Sequence, residues 1–210
     1  MSAELRELLK RCPILPVIVI EDAAAAVPLA RALVEAGLVN LEITLRTAAA
    51  FDAIARIAGE VEGAVVGAGT VVDAAQLRRA VAAGARFLVS PGLSPRLAEA
   101  AAEAGVPWLP GVQTAGELMH GLEHGLDTFK FFPAEPAGGV AMLKAFHGPF
   151  PQLRFCPTGG IAGHNAPAYL ALPNVLCVGG SWVVPADRLA TGDYAAVTAQ
   201  ARAALAALAG

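Results

Sequence analysis

The chain has 210 residues, of which 56% are hydrophobic and only 16% charged, with a formal net charge of -3. That composition supports a sizeable buried core and excludes disorder, and the slightly acidic balance offers no basic face for nucleic acid. The mean hydropathy of +0.57 raises the question of a membrane span, but the uncharged stretch from Phe155 to Ala186 is broken by Pro157, Pro167, Pro173, Pro185, Gly159-Gly160 and Gly179-Gly180, too often for a spanning helix.

Taken in chain order, Glu4, Arg6, Glu7, Lys10 and Arg11 make the start an amphipathic helix over Ala3 to Lys10 rather than a signal peptide, so a cytoplasmic location is expected. Short runs of Val, Ile, Leu and Phe then alternate with Ala-rich stretches of helical period. The strands predicted are Ile14 to Ile20, Val39 to Leu45, Ala64 to Ala68, Phe87 to Ser90, Trp108 to Pro110, Thr128 to Phe132, Arg154 to Pro157 and Val175 to Val178. Helices between them start at caps supplied by Asp22, Thr47, Asp73, Ser94, Thr114 and His164-Asn165, and Gly37, Gly84, Gly105 and Gly125 close four of them. A last helix runs from Tyr194 to Leu208. Repeated strand-helix units mean a parallel sheet. Eight units with polar residues gathered at the strand ends favour a single (β/α)8 TIM barrel with an extra N-terminal helix over an open doubly wound sheet. No linker divides the chain, so 1–210 is expected to be one domain.

Cys12, Cys156 and Cys177 are odd in number and lack a C-x-x-C spacing, which makes them buried thiols rather than disulfides or zinc ligands. His120 and His124, with Glu117, lie on one helical face but have no further ligand, and His147 and His164 have no partner in sequence, so no metal or other cofactor is expected.

Lys130 is the sharpest signal. It lies in Phe129-Lys130-Phe131-Phe132, an apolar strand in which Lys130 and Phe132 share one face. Burying an ammonium is costly, and a neutral amine is what attack on a carbonyl requires. A satisfied structural ion pair is an equal reading of the residue by itself. Asn40 to Arg46 alternates strictly, with Leu41, Ile43 and Leu45 on one face and Asn40, Glu42, Thr44 and Arg46 on the other. In a barrel coated by helices that polar face must point inward, where a carboxylate and a guanidinium suit a proton shuttle and a carboxylate-binding fork. The turns Gly159-Gly160-Ile161 and Gly179-Gly180-Ser181 follow the seventh and eighth strands, where barrel enzymes commonly bind phosphate. Gly67 to Thr70 and Ser90-Pro91-Gly92 are further turns at the same rim.

Together, Leu41-Glu42-Ile43-Thr44-Leu45-Arg46-Thr47, Val66-Gly67-Ala68-Gly69-Thr70-Val71, Ser90-Pro91-Gly92, Phe129-Lys130-Phe131-Phe132-Pro133-Ala134-Glu135, Phe155-Cys156-Pro157-Thr158-Gly159-Gly160-Ile161 and Gly179-Gly180-Ser181-Trp182 closely resemble the 2-keto-3-deoxy-6-phosphogluconate (KDPG) aldolases. The resemblance implies a class I aldolase, independent of metals, acting on a phosphorylated keto acid and in many members also on 4-hydroxy-2-oxoglutarate. It implies Lys130 as the Schiff-base lysine and Glu42 as proton acceptor and donor. Arg46, Thr70 and Pro91 would bind the pyruvate end, with Thr158 near the aldehyde carbon, and Gly159, Gly160, Ile161, Gly180 and Ser181 would hold the phosphate. It also implies a homotrimer. A phosphate-binding barrel isomerase or epimerase, an oxaloacetate or other keto-acid decarboxylase, and a non-catalytic binding protein built on the same barrel are the alternatives. The first would have no need of a nucleophilic Lys130.

Overall fold

In a computed structural model, which describes residues 2–208, every ladder is parallel and the connections between strands carry helices, except that Pro110 alone joins β5 to β6. The elements are α1 (Ser2–Lys10), β1 (Ile14–Ile18), α2 (Ala26–Ala36), β2 (Asn40–Thr44), α3 (Ala50–Glu60), β3 (Val65–Gly69), α4 (Ala74–Ala82), β4 (Leu88–Val89), α5 (Pro95–Ala104) and β5 (Trp108–Leu109). Then follow β6 (Gly111–Val112), α6 (Ala115–Glu123), β7 (Thr128–Phe131), α7 (Gly139–His147), β8 (Arg154–Pro157), α8 (Ala166–Leu170), β9 (Val178–Gly180), α9 (Ala186–Thr191) and α10 (Tyr194–Leu208).

The expectation of one ring of eight strands needs correcting in two places. The regular ladders form a six-stranded sheet, β5-β4-β3-β2-β1-β9, and a three-stranded sheet, β6-β7-β8. The predicted fifth strand ends at Pro110, yet the chain continues past it as β6. Pro110 has no N–H to give a ladder, so its carbonyl alone takes part, accepting from Lys130 N–H at 2.8 Å. The last strand lies later than Val175 to Val178. Val175 makes an isolated bridge to Phe155, Thr158 makes another to Gly179, and the continuous pairing is that of β9 with β1.

Alternation decides what each strand buries. All five residues of β2 are buried, polar and apolar alike, as the inward-facing reading requires. Leu41 and Ile43 join the layer packed under the helices, where α3 presents Ala50, Ala53, Ile54 and Ile57, an i, i+3, i+4, i+7 stripe. On the other side α1 closes the end of the structure where the strands begin. Its Leu5, Leu8 and Leu9 pack with Leu15, Phe87, Val89, Leu109, Cys156 and Cys177, while Asn40 Nδ2 donates to Leu8 O and Arg6 pairs with Asp127.

Several cap expectations hold. Asp73 accepts from Gln76 N–H, and Thr114 with Glu117 forms a full capping box. Gly37, Gly84, Gly105 and Gly125 all have φ between 64 and 101° at helix ends. Three differ. Asp22 caps a 3-10 turn ahead of α2, Ser94 makes no side-chain cap, and Thr47 donates to Ile20 O, tying the exits of β1 and β2 together while α3 starts at Ala50. Among the described residues no helix is long and apolar enough to cross a membrane.

Candidate active site

Lys130 in β7 and Glu42 in β2 belong to different sheets and are 88 residues apart, yet Lys130 Nζ lies 3.3 Å from Glu42 Oε1. Only 5% of Lys130 and none of Glu42 is exposed. Two buried charges stay charged in such a place only when paired, and here they form the pair. Glu42 Oε2 has no hydrogen-bond partner among the described residues, so half of the carboxylate is uncommitted. The Phe132 ring stands 5.2 Å from Lys130 Nζ, on the face the alternation assigns to both.

Room for this pair is made by glycine. Gly67 and Gly69 are the alternate inward positions of β3 rather than a turn beyond it, as the sequence suggested. A Cβ on Gly67 would stand 2.4 Å from the Phe87 ring, and one on Gly69 would stand 2.3 Å from Glu42 Oε1. Phe87 fills the interior below, and the carboxylate occupies the level above.

Beyond the strand ends, Arg46 is exposed and its Nε donates to Thr70 Oγ1 at 3.3 Å, not to Glu42 or Lys130. Thr70 has φ of 60°, left-handed without being glycine, a strained setting typical of sites under another constraint. Pro91 is exposed. Its carbonyl lies 2.2 Å from where a Cβ on Gly111 would sit, and the neighbouring Ser90 hydroxyl donates to Gly92 O and accepts from Trp108 Nε1. Pro91 thus shapes the rim beside β6 and has no direct link to the ion pair.

Thr158 is buried just past β8, and its bridge to Gly179 lays the Gly159-Gly160 turn beside β9, of which Gly179 and Gly180, expected as a turn after the last strand, are themselves residues paired with Leu15 and Pro16 of β1. A Cβ on Gly179 would stand 2.1 Å from Thr158 Oγ1, and one on Gly180 would stand 1.7 Å from the Trp182 ring. Gly159 and Gly160 have φ of 102 and 79°, Ile161 is buried, and Ser181 is exposed. Ser181 also lines a cavity of about 300 Å³ walled by Val17, Ile18 and Val19 from β1 and its exit.

Three features were not visible in the sequence. Asn165 stands at the N-cap position of α8, as read, but its side chain makes no cap bond there: it accepts Ala162 N–H on Oδ1 and donates through Nδ2 to Gly160 O. Tyr169, almost fully buried, donates its hydroxyl to Glu135, and burial, then that carboxylate, push the phenol pKa up. Cys177 is hydrogen-bonded to Cys156, which raises its pKa well above the usual 9.0, with burial adding to the effect and Glu42 among the nearby charges. Among the described residues no cluster of three or more His, Cys, Asp or Glu is placed to hold a metal. His120 pairs with Glu123 on an exposed helix face.

Comparison with known proteins decides between the readings. The family model described as KDPG and KHG aldolase matches residues 5–200. The chain belongs to this aldolase family. It is 55% identical over 205 residues to the 2-dehydro-3-deoxy-phosphogluconate aldolase of Dickeya dadantii (strain 3937), covering 98% of this chain and 95% of that one. The 2-keto-3-deoxy-6-phosphogluconate aldolase of Zymomonas mobilis ZM4, solved with 3-phosphoglycerate, superposes with a TM-score of 0.93 at 50% identity, covering 98% of this chain and 97% of that one. The KDPG aldolase of Legionella pneumophila, solved with pyruvate captured at low pH as a covalent carbinolamine, superposes with a TM-score of 0.93 at 45% identity, covering 96% and 98%. The isomerase and decarboxylase alternatives gain no support from these relatives.

Proposed function

We propose that this aldolase cleaves 2-keto-3-deoxy-6-phosphogluconate to pyruvate and glyceraldehyde 3-phosphate, and 4-hydroxy-2-oxoglutarate to pyruvate and glyoxylate, through a Schiff base on Lys130. The observation that carries the reading is the buried Lys130–Glu42 pair at 3.3 Å in a chain of this family. Glu42 is within reach to take the ammonium's proton. The free amine then attacks the C2 carbonyl, and the carbinolamine's hydroxyl leaves as water with the proton that Glu42 took, so that a protonated imine and an ionised carboxylate remain. That imine accepts the electrons of the C3–C4 bond as Glu42 takes the proton of the C4 hydroxyl, and the aldehyde departs. Protonated Glu42 returns the proton to C3 of the enamine. Water hydrolyses the imine, releasing pyruvate and regenerating the amine.

In this reading Arg46, Thr70 and Pro91 surround the pyruvate carboxylate, and Thr158 meets the aldehyde carbon. Gly159, Gly160, Ile161, Gly180 and Ser181 surround the phosphate. The scheme asks for no metal or other cofactor. The same reading takes 1–210 as one barrel domain in which β6 to β8 fill the gap between β5 and β9. It is supported by the shared Pro110 carbonyl, by the bridge from Thr158 to Gly179, and by α10 packing on α2. We place the enzyme in the cytoplasm as a homotrimer, the state the family resemblance implies, to be checked by light scattering.

Borohydride reduction with pyruvate, followed by peptide mapping, should place a stable adduct on Lys130, and KDPG should yield both products. An adduct absent or on another residue refutes the role of Lys130. An adduct without aldehyde release assigns a different pyruvate lyase. Glu42→Gln should slow turnover about a hundredfold or more while imine formation stays detectable.

A further inference from the structure

The turn that leaves β8 is tied on its carbonyl side and open on its amide side. Thr158 O accepts from Ala134 N–H at 2.8 Å, Gly159 O from Glu135 N–H at 3.1 Å, and Gly160 O from Asn165 Nδ2 at 3.0 Å. The N–H groups of Gly159, Gly160 and Ile161 have no acceptor among the described residues. Three neighbouring amides held without a protein acceptor suit an anion. Glu135 and Ala134 act through the main chain, so any residue there could make those two bonds. Asn165 acts through its side chain.

That side chain does two things at once. Its Nδ2 holds the carbonyl of Gly160, and its Oδ1 accepts the N–H of Ala162 at 2.8 Å. One amide therefore grips the chain on both sides of Ile161 and fixes the peptide planes between. A carboxylate of the same shape could only accept, leaving the Gly160 carbonyl unmatched and adding negative charge beside an anion. Glycine is needed at 160, where φ is 79° and a Cβ would stand 2.6 Å from Glu135 Cγ.

The geometry points to Asn165 as a positioning residue for phosphate recognition, holding the turn so that its free amides serve the phosphate of the substrate. The inference rests on the aldolase reading, since that reading supplies the phosphate.

The test uses the full-length protein, its Asn165→Ala and Asn165→Asp variants, and two substrates that share the pyruvate half: KDPG, with a phosphate, and 4-hydroxy-2-oxoglutarate, without one. Losing the two bonds should raise KM for KDPG and the inhibition constant of inorganic phosphate about tenfold in Asn165→Ala, and further in Asn165→Asp. On 4-hydroxy-2-oxoglutarate both kcat and KM should stay within about twofold. An equal loss on the two substrates means general loosening and overturns the proposal, as does no loss on either. If the alanine variant fails to fold, Asn165→Asp, which keeps the acceptor for Ala162 N–H, carries the same comparison. A wild-type enzyme that cleaves neither substrate would remove the aldolase reading. Calorimetric binding of inorganic phosphate, weakened by Asn165→Ala, would still uphold the clamp, and unweakened binding would overturn it.

Discussion

Gly69→Ala is the smallest change that bears on the proposed chemistry, because it adds one methyl group and removes nothing. Gly69 does not have a left-handed φ, so alanine meets no backbone obstacle. The obstacle is Glu42: the new Cβ would stand 2.3 Å from Oε1, 2.6 Å from Cγ and 2.8 Å from Cδ. Real Cβ contacts essentially never fall below 3.0 Å, so the carboxylate must retreat by at least 0.7 Å, the difference between 3.0 and 2.3 Å. Glu42 is fully buried and its strand is paired on both sides, with β1 and β3, so the displacement falls on the side chain and on its contact with Lys130. A misplacement of about 1 Å at a proton-transferring group costs on the order of a hundredfold. The variant should therefore lose about 10- to 100-fold in kcat for KDPG cleavage, followed by coupled pyruvate release, while pyruvate is still trapped on Lys130 by borohydride. Overpacking should also lower stability by about 1–3 kcal/mol. A folded variant with wild-type kcat would show that the position of Glu42 is not what limits turnover, and would refute the account.

Three further outcomes are expected. Arg46→Lys keeps the charge but loses the planar fork and the bond to Thr70, so KM for both keto-acid substrates should rise about tenfold; an unchanged KM would remove Arg46 from carboxylate binding. Thr114→Ala deletes the hydroxyl of the capping box on α6 and should lower stability by about 1 kcal/mol, or Tm by about 2–4 °C, with kinetics unchanged; an unmoved Tm would refute it. Cys12, through burial, and Cys177, through its bond to Cys156 and then burial, hold their protons more tightly folded than unfolded. The stability this supplies is fully present below about pH 9, where unfolded thiols are protonated, and is lost as pH rises toward the folded values. Denaturant midpoints of the wild type should fall above pH 9, and those of Cys177→Ala should fall less; parallel curves would contradict the assignment.

The legible parts of the site share one property: their signal is local. Glu42 could be placed inside because the alternation of β2 is written in five consecutive residues, and Lys130 because a lysine among three phenylalanines has no innocuous position on an apolar strand. The glycine turn after β8 was legible for the same reason, whereas Gly179 and Gly180, which read as a turn after the last strand, are residues of β9 itself. Asn165 was legible as the residue that starts α8 but not as a turn clamp, because both call for the same residue type, and what separates them is whether the Gly160 carbonyl lies within reach. Tyr169 and Glu135 meet across 34 positions, with no periodicity to announce it. The break at Pro110 was visible as a proline but not as a seam, because a strand that ends and one that resumes two residues later look alike until partners are assigned. Gly69 reads as part of a turn because glycine permits turns, and it lies in β3, where its missing side chain is what matters.

The division of the strands into two sheets has a consequence for how this chain becomes and stays an enzyme. Glu42 belongs to the six-stranded sheet and Lys130 to the three-stranded one, while β9, made from the chain's last quarter, completes the first sheet by pairing with β1. The first half of the chain cannot finish the six-stranded sheet without β9, and neither half holds both members of the pair. The 3.3 Å contact thus exists only in the completely assembled chain: under the proposed chemistry, a molecule open at either seam, during synthesis or after local melting, would have no lysine–carboxylate couple to expose to the keto acids and aldehydes around it.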